Sequence, residues 1–341
     1  SLHDALPISA LVTVLLAGPL LVARPVLAQR DALEANLASI QLPPGFKIQI
    51  YARVPGARSL AVSKPLANVF VGTRRDTVYV VLDRDKDGYG EEVVPFATGL
   101  KVPNGVAFSK DGFLYVAENH RIITFPAAEF DPYNPIGPLV VYEGLPQYSL
   151  HGWRYLAVGP DGKLYVALGV PCNVCHADPP MGTISRLNPD GTGFETYALG
   201  VRNSVGMDWH PVTGELFFTD NGQDLLGDTQ PPDELNHAPR PGLHFGFPYY
   251  GGGRTRGPEF MNEQPPADAV FPVVEFDAHA AALGIDFYTG KMFPEEYRNN
   301  AFVAQHGSWN RNPPSGYKVV FVPFTGGRAS GPPRDVLTGF L

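Results

Sequence analysis

The stretch HGWRYLAVGPDGKLYVALG, residues 151–169, decides the fold. Leu156, Val158, Leu164, Val166 and Leu168 alternate with other residues, the period of two that a half-buried strand pair requires. Between the halves, Pro160-Asp161-Gly162 is turn chemistry: proline presets φ, and glycine accepts φ > 0. Three other stretches copy the unit: GVAFSKDGFLYVAE at 105–118, GMDWHPVTGELFFTDNG at 206–222 and, more loosely, residues 283–307. Leu164 lies 50 residues after Leu114 and 52 before Leu216. Strand pairs recurring every 40–50 residues or so predict a β-propeller, each repeat forming a blade. His151 stands just ahead of its repeat, where a loop leads into the blade. It is the leading catalytic candidate.

The bulk composition agrees. At 341 residues, 44% hydrophobic and 18% charged, the chain is globular rather than disordered. Its 37 glycines and 35 prolines suit an all-β protein full of turns. A net charge of -8, with no basic run, argues against a nucleic-acid partner.

The first residues read as a targeting segment. Residues 10–23, ALVTVLLAGPLLVA, form an uncharged apolar run of 14, short for a membrane span and right for a signal-peptide core. Val26-Leu27-Ala28 offers a small residue for cleavage, so residues 1–28 are expected to be a signal region, with 1–9 non-native. The mature chain from Gln29 shows no second span and is expected to be periplasmic or secreted, a single propeller domain over 29–341.

Several loops carry candidate chemistry. Residues 47–52 alternate as a first strand, and 69–72 and 78–82 as two more. Asp83, Asp85 and Asp87, followed by Gly88, match the first half of a calcium loop. The twelfth position is Val94 rather than glutamate, so a polar hairpin tip is the alternative. Asn104 occupies a position like that of His151. Cys172 and Cys175, in CNVCH, read as a local disulfide in an oxidising compartment, with a haem attachment sequence, free thiols or a metal site as alternatives. Arg202-Asn203, residues 220–224 and residues 233–236 make the densest polar stretch, suited to a metal or polar ligand, or to capping of ordinary loops. Arg311 and Lys318 are cations near a blade entry, with ordinary surface charge as the alternative, and the chain then stops at 338–341 with no closing strand.

Taken together, HGWRYLAVGPDGKLYVALG, GVRNSVGMDWHPVTGELFFTDNGQD, DELN, HFGFP and HGSWNRNPPSGYKVV resemble the glucose/sorbosone dehydrogenase family. The resemblance spans residues 42–341 and lies nearest the sorbosone or aldose dehydrogenase branch. It implies an all-β, six-bladed propeller holding pyrroloquinoline quinone (PQQ) and calcium at one end of its channel. It also implies a further repeat after the final LTGF, so the C-terminal closing blade is expected to be incomplete. By the same resemblance His151 is the catalytic base, and Arg202 and Asn203 contact the quinone. Gly222 and Gln223 hold the active-site calcium through backbone carbonyls, with Gln223 where many relatives have proline. Asn104 lies near substrate or quinone, and Arg311 and Lys318 belong to the region that supplies cations to the cofactor.

The residue types suit that chemistry. PQQ carries carboxylates, which need Arg and Lys. Oxidising a sugar hydroxyl needs a base for its proton, and neutral histidine serves near pH 7. Calcium can polarise the accepting carbonyl, and Arg202 can stabilise charge that develops on it. The expected partners are a sugar and a quinone or cytochrome electron acceptor. The competing functions are a calcium-dependent lactonase on a six-bladed propeller and a non-catalytic exported binding propeller. Convergence of His151, Arg202, Asn203 and Gly222 on one channel mouth discriminates among them.

Overall fold

The structure is a computed structural model, described here over residues 34–341. The expected signal region lies outside the described residues. Among those residues no helix is long and apolar enough to cross a membrane. Residues 34–39 are helical, in a unit separate from the one formed by 41–341.

Residues 41–341 build five sheets, each on four antiparallel strands. Blade 1 holds β1 (Ala57–Val62), β2 (Val69–Thr73), β3 (Val78–Leu82) and β4 (Glu92–Ala97). Blade 2 holds β5 (Gly105–Phe108), β6 (Leu114–Ala117), β7 (Ile122–Phe125) and β8 (Leu139–Tyr142). Blade 3 holds β9 (Leu156–Val158), β10 (Leu164–Leu168), β11 (Thr183–Leu187) and β12 (Glu195–Leu199). Blade 4 opens with β13 (Gly206–Trp209), β14 (Leu216–Asp220) and β15 (Pro232–Ala238). An excursion follows: β16 (Leu243–His244) pairs in parallel with β12, and β17 (Tyr250–Gly252) with β18 (Thr255–Arg256). The strand β19 (Val274–Ala278) then completes blade 4. Blade 5 holds β20 (Ala282–Phe287), β21 (Ala301–Gln305), β22 (Lys318–Val322), the small hairpin β23 (Phe324–Thr325) and β24 (Arg328–Ala329), and β25 (Arg334–Leu337).

Two expectations are corrected. The described residues form five blades, not six. At a spacing of 50–52 residues, the span from Ala57 to Leu337 accommodates five. Residues 47–52 form no strand: they touch the β3–β4 turn only through Gly90 N–H to Tyr51 O, 2.8 Å, and Gln49 Nε2 to Gly88 O, 2.8 Å. Two isolated bonds make no ladder. The last repeat ends with the outer strand β25, which pairs with β22. Gln41 extends that edge by bridging Thr338.

The alternation in the central repeat has a stricter meaning than half-burial. All five residues of β10 are buried, because blade 3 is sandwiched between blades 2 and 4. Leu164, Val166 and Leu168 pack with Ala107, Tyr115 and Ala117 of blade 2. Tyr165 and Ala167 point the other way, to Met207, Leu216 and Phe218 of blade 4. In β14, Leu216 and Phe218 join the blade 3 side, while Phe217 packs with Ile285, Val303 and Val320 of blade 5. One period-two pattern thus feeds two cores, each buried leucine contributing about 1.5–3 kcal/mol. The first strands approach closely where they begin. A Cβ on Gly105 would lie 2.5 Å from Arg154 O, and one on Gly206 2.0 Å from Leu283 O. Only glycine fits there.

Candidate active site at one end of the blades

His151 sits on the loop before β9 with φ of 53°, and it is buried, 6% exposed. Its Nδ1 lies 2.8 Å from Val170 O. A carbonyl only accepts, so Nδ1 carries the hydrogen and Nε2 the lone pair. Gly169 allows this fit, since a Cβ there would come 2.7 Å from the His151 Cβ. Beneath the loop lies Arg154, which is fully buried. Its guanidinium donates to Asn119 O (3.2 Å), Tyr148 Oη (3.1 Å), His151 O (3.4 Å) and Pro146 O. Among the described residues no carboxylate pairs with it; carbonyls and the Tyr148 ring, 4.5 Å away, surround the charge. Asn119 Nδ2 in turn donates to Tyr148 O and Gly152 O, at 2.9 and 2.8 Å. This clamp fixes the backbone on both sides of His151.

Arg202 and Asn203 follow blade 3 and are held by Asp220, at the end of β14. The Asp220 carboxylate accepts both backbone N–H groups, at 2.7 and 2.6 Å. Burial raises the Asp220 carboxyl above its ordinary range, and these two donors oppose the rise. Glu234, directly across the ladder, is likewise raised by burial and then by the Asp220 charge. The Arg202 guanidinium donates to Asn173 O (2.8 Å), Asn173 Oδ1 (2.7 Å), Asn221 O (3.1 Å) and Asp224 Oδ2 (2.9 Å). All but one of its N–H donors are therefore engaged within the protein.

Asn173 was not legible as a site residue. It lies between Cys172 and Cys175, which form a disulfide with Cα atoms 6.2 Å apart. That bond consumes both thiols that a haem thioether or a metal would use. Asn173 Oδ1 also accepts Asp224 N–H at 2.9 Å, and its Nδ2 donates to Asp224 O at 3.1 Å. Asn310 Nδ2 reaches Asp224 Oδ1 at 3.0 Å, joining the loop after β21 to the group. Loops of blades 3, 4 and 5 thus meet around Arg202.

His151, Arg202, Asn203 and Gly222 share one end of the fold. Val170 links the first two, and Asn221 N–H to Asn203 O, 3.4 Å, brings Gly222 alongside. Asn104 is placed by Nδ2 bonds to Arg154 O (3.1 Å) and Ser59 Oγ (3.5 Å).

Residues 139–308 match the glucose/sorbosone dehydrogenase family. The chain belongs to that family. An uncharacterized protein of Borreliella burgdorferi is 34% identical over 302 residues, 85% of this chain and 78% of that protein. A pyrroloquinoline quinone-dependent pyranose dehydrogenase of Coprinopsis cinerea is 47% identical over 57 residues, 17% of this chain and 7% of its own. Among solved structures, the PQQ domain of Coprinopsis cinerea pyranose dehydrogenase has a TM-score of 0.70 at 18% identity, covering 88% of this chain and 86% of that one. The soluble aldose sugar dehydrogenase of Escherichia coli has 0.62 at 16%, covering 87% and 88%. At such identities the structures establish the shared fold.

The glucose/sorbosone dehydrogenase assignment makes the chain a relative of sugar-oxidising oxidoreductases, and its site can be tested against the groups they imply. The Gly222 and Gln223 carbonyls accept no hydrogen bond among the described residues, while their N–H groups are held by Asp233 Oδ1 (2.8 Å) and Gly251 O (2.6 Å). Gln223 Oε1 is buried without a partner. Such oxygens fit a hard cation. For a carboxylate-bearing cofactor, Arg311 fits: it donates to Ala278 O at 3.0 Å, and among the described residues it has no carboxylate partner and its buried Nε is unsatisfied. Lys318 is committed instead to Asp335 of the outer strand, 2.8 Å away. The second candidate metal site changes membership. Oxygens of Asp83, Asp85 and Glu91 lie within 4.8 Å of one another. Asp87 is outside that group and caps Tyr89 N–H at 2.8 Å. Glu91 also accepts Arg84 N–H, at 2.9 Å, as a hairpin tip would require.

Proposed function

We propose that this protein is a PQQ- and calcium-dependent dehydrogenase of an aldose or sorbosone, with His151 as general base. The observation that carries the reading is the fixed His151 tautomer, lone pair on Nε2, at the end of the fold where Arg202, Asn203 and the Gly222 carbonyl also lie. When bound, the quinone and its calcium supply the hydride acceptor. His151 Nε2 takes the hydroxyl proton of the sugar. The Val170 carbonyl stabilises the imidazolium that results by accepting its Nδ1 hydrogen. The Gly222 and Gln223 carbonyls would hold the cation, and the remaining N–H of Arg202 and the Nε of Arg311 would orient anionic oxygens. An external quinone or cytochrome reoxidises the enzyme outside the cytoplasm.

The test is reconstitution. The chain is mixed with PQQ and Ca²⁺, and dye reduction is followed with aldoses and sorbosone. The reading expects activity that needs both additions and disappears in His151→Ala. A folded protein that binds no PQQ overturns it and turns attention to lactone hydrolysis.

A further inference from the structure

A second cationic group stands at blade 1, outside every motif discussed above. Arg74 follows β2 directly, and its Cζ lies 3.1 Å from the centre of the Trp153 ring. Trp153 is two residues from His151 and next to the buried Arg154. Arg58 is at the matching end of β1, where Ala57 pairs with Thr73. Both arginines are half-buried. Among the described residues neither guanidinium has a hydrogen-bond or carboxylate partner, although the chain has 34 acidic residues against 26 basic ones. Ser59, beside Arg58, is the residue that Asn104 Nδ2 reaches.

We propose that Arg74, braced on Trp153, and Arg58 form a carboxylate-binding site beside His151, which takes a carboxylate either of the bound cofactor or of a sugar acid. The assignment of the cofactor as one source rests on the quinone reading; the site itself does not. The physical argument is charge balance. Two partly desolvated cations with no counter-charge repel each other, and an anion relieves both costs at once. Burial first, and then Arg58, pushes the Arg74 guanidinium down to about 10. His306, just after β21 in blade 5, is also held below its ordinary value, by burial and then by Arg58 and Arg74. Three groups able to carry positive charge, from blades 1 and 5, therefore act on one another, and among the described residues no acid pairs with either arginine. The stacking matters as much as the charge. A guanidinium held flat on an indole loses little freedom when its fork grips a carboxylate, which lysine cannot do in the same way.

The experiment is calorimetric titration of the full chain with PQQ, and separately of the chain with glucuronate, for wild type, Arg58→Gln, Arg74→Gln and Arg74→Lys. Circular dichroism and thermal melting check that each variant is folded. The expected result is a loss of 10-fold or more in affinity for one of the two probes in both glutamine variants, with Arg74→Lys recovering only part. Loss toward PQQ identifies the cofactor carboxylate; loss toward glucuronate alone, with PQQ affinity unchanged, identifies a sugar acid. Folded glutamine variants that bind both probes as wild type does overturn the proposal and leave the quinone reading intact. A wild type that binds glucuronate through these arginines but no PQQ overturns the quinone reading and leaves this site standing. A wild type that binds neither probe overturns both.

Discussion

The backbone of one residue, Val170, joins His151 and Arg202. Val170 O accepts the Nδ1 hydrogen of His151 at 2.8 Å, and Val170 N–H donates to Arg202 O at 2.9 Å. His151 and Arg202 are thereby set by the backbone of a single residue at the end of blade 3. With the tautomer fixed, the base function proposed for His151 falls to Nε2. His151→Gln keeps the size and polarity but not the basicity. It is expected to lower kcat by about 10²–10⁴-fold, with a smaller change in KM, as measured by steady-state dye reduction.

Arg154 is a buried cation balanced by carbonyls. Removing its fork strands the acceptors Asn119 O, His151 O and Pro146 O inside the fold. Arg154→Met is expected to cost about 2–4 kcal/mol of stability in urea denaturation, the sum of more than one unsatisfied buried acceptor. Its activity should fall by more than its folded fraction, because the His151 backbone loses its support.

Asn173 binds both Arg202 and Asp224. Asn173→Ala removes the Oδ1 acceptor and frees one Arg202 N–H, while leaving the Nε bond to the residue-173 carbonyl and the charge pair with Asp224. Activity is expected to fall at least about tenfold, since a misoriented donor forfeits roughly 1.4 kcal/mol or more of transition-state binding. Reduction of the Cys172–Cys175 bond should act in the same direction. Because it closes a loop only 3 residues apart in sequence, its effect on the melting temperature should be small.

Asp208, in β13, ties blade 4 to blade 5 by accepting Phe287 N–H at 2.7 Å, and it also accepts Trp209 N–H at 2.8 Å. Burial pushes its carboxyl up from 3.8 to about 6, against the pull of these two donors. The folded chain therefore holds this proton more tightly than the unfolded chain does. The contribution is fully present below about pH 4 and is lost as pH rises through about 6. Stability should fall across that window by on the order of 2–3 kcal/mol from this group. Asp208→Asn should flatten the dependence in denaturation curves taken at successive pH values.

The repeat was legible because it is local. Alternation at period two, Pro-Asp-Gly turns and the 50-residue recurrence are properties of short stretches, and a strand pair so patterned has to bury its apolar residues. His151, Arg202 and Asn203 stood out for the same reason: each sits beside a recognisable strand. Asn173 carried a weaker signal, an amide inside a four-residue loop closed by cysteines.

What the chain alone could not decide was which distant residues meet. The number of blades depends on how sheets stack, and both faces of β10 are buried only because blades 2 and 4 flank it. Lys318 looked like a cofactor cation, yet strand pairing delivers it to Asp335. Arg58, Arg74, Trp153 and His306 belong to three different blades, and no spacing along the sequence encodes their approach. Local sequence fixes the strands and turns through backbone and burial preferences. The site depends on the stacking of separate sheets, because the charges it assembles interact through space rather than along the chain.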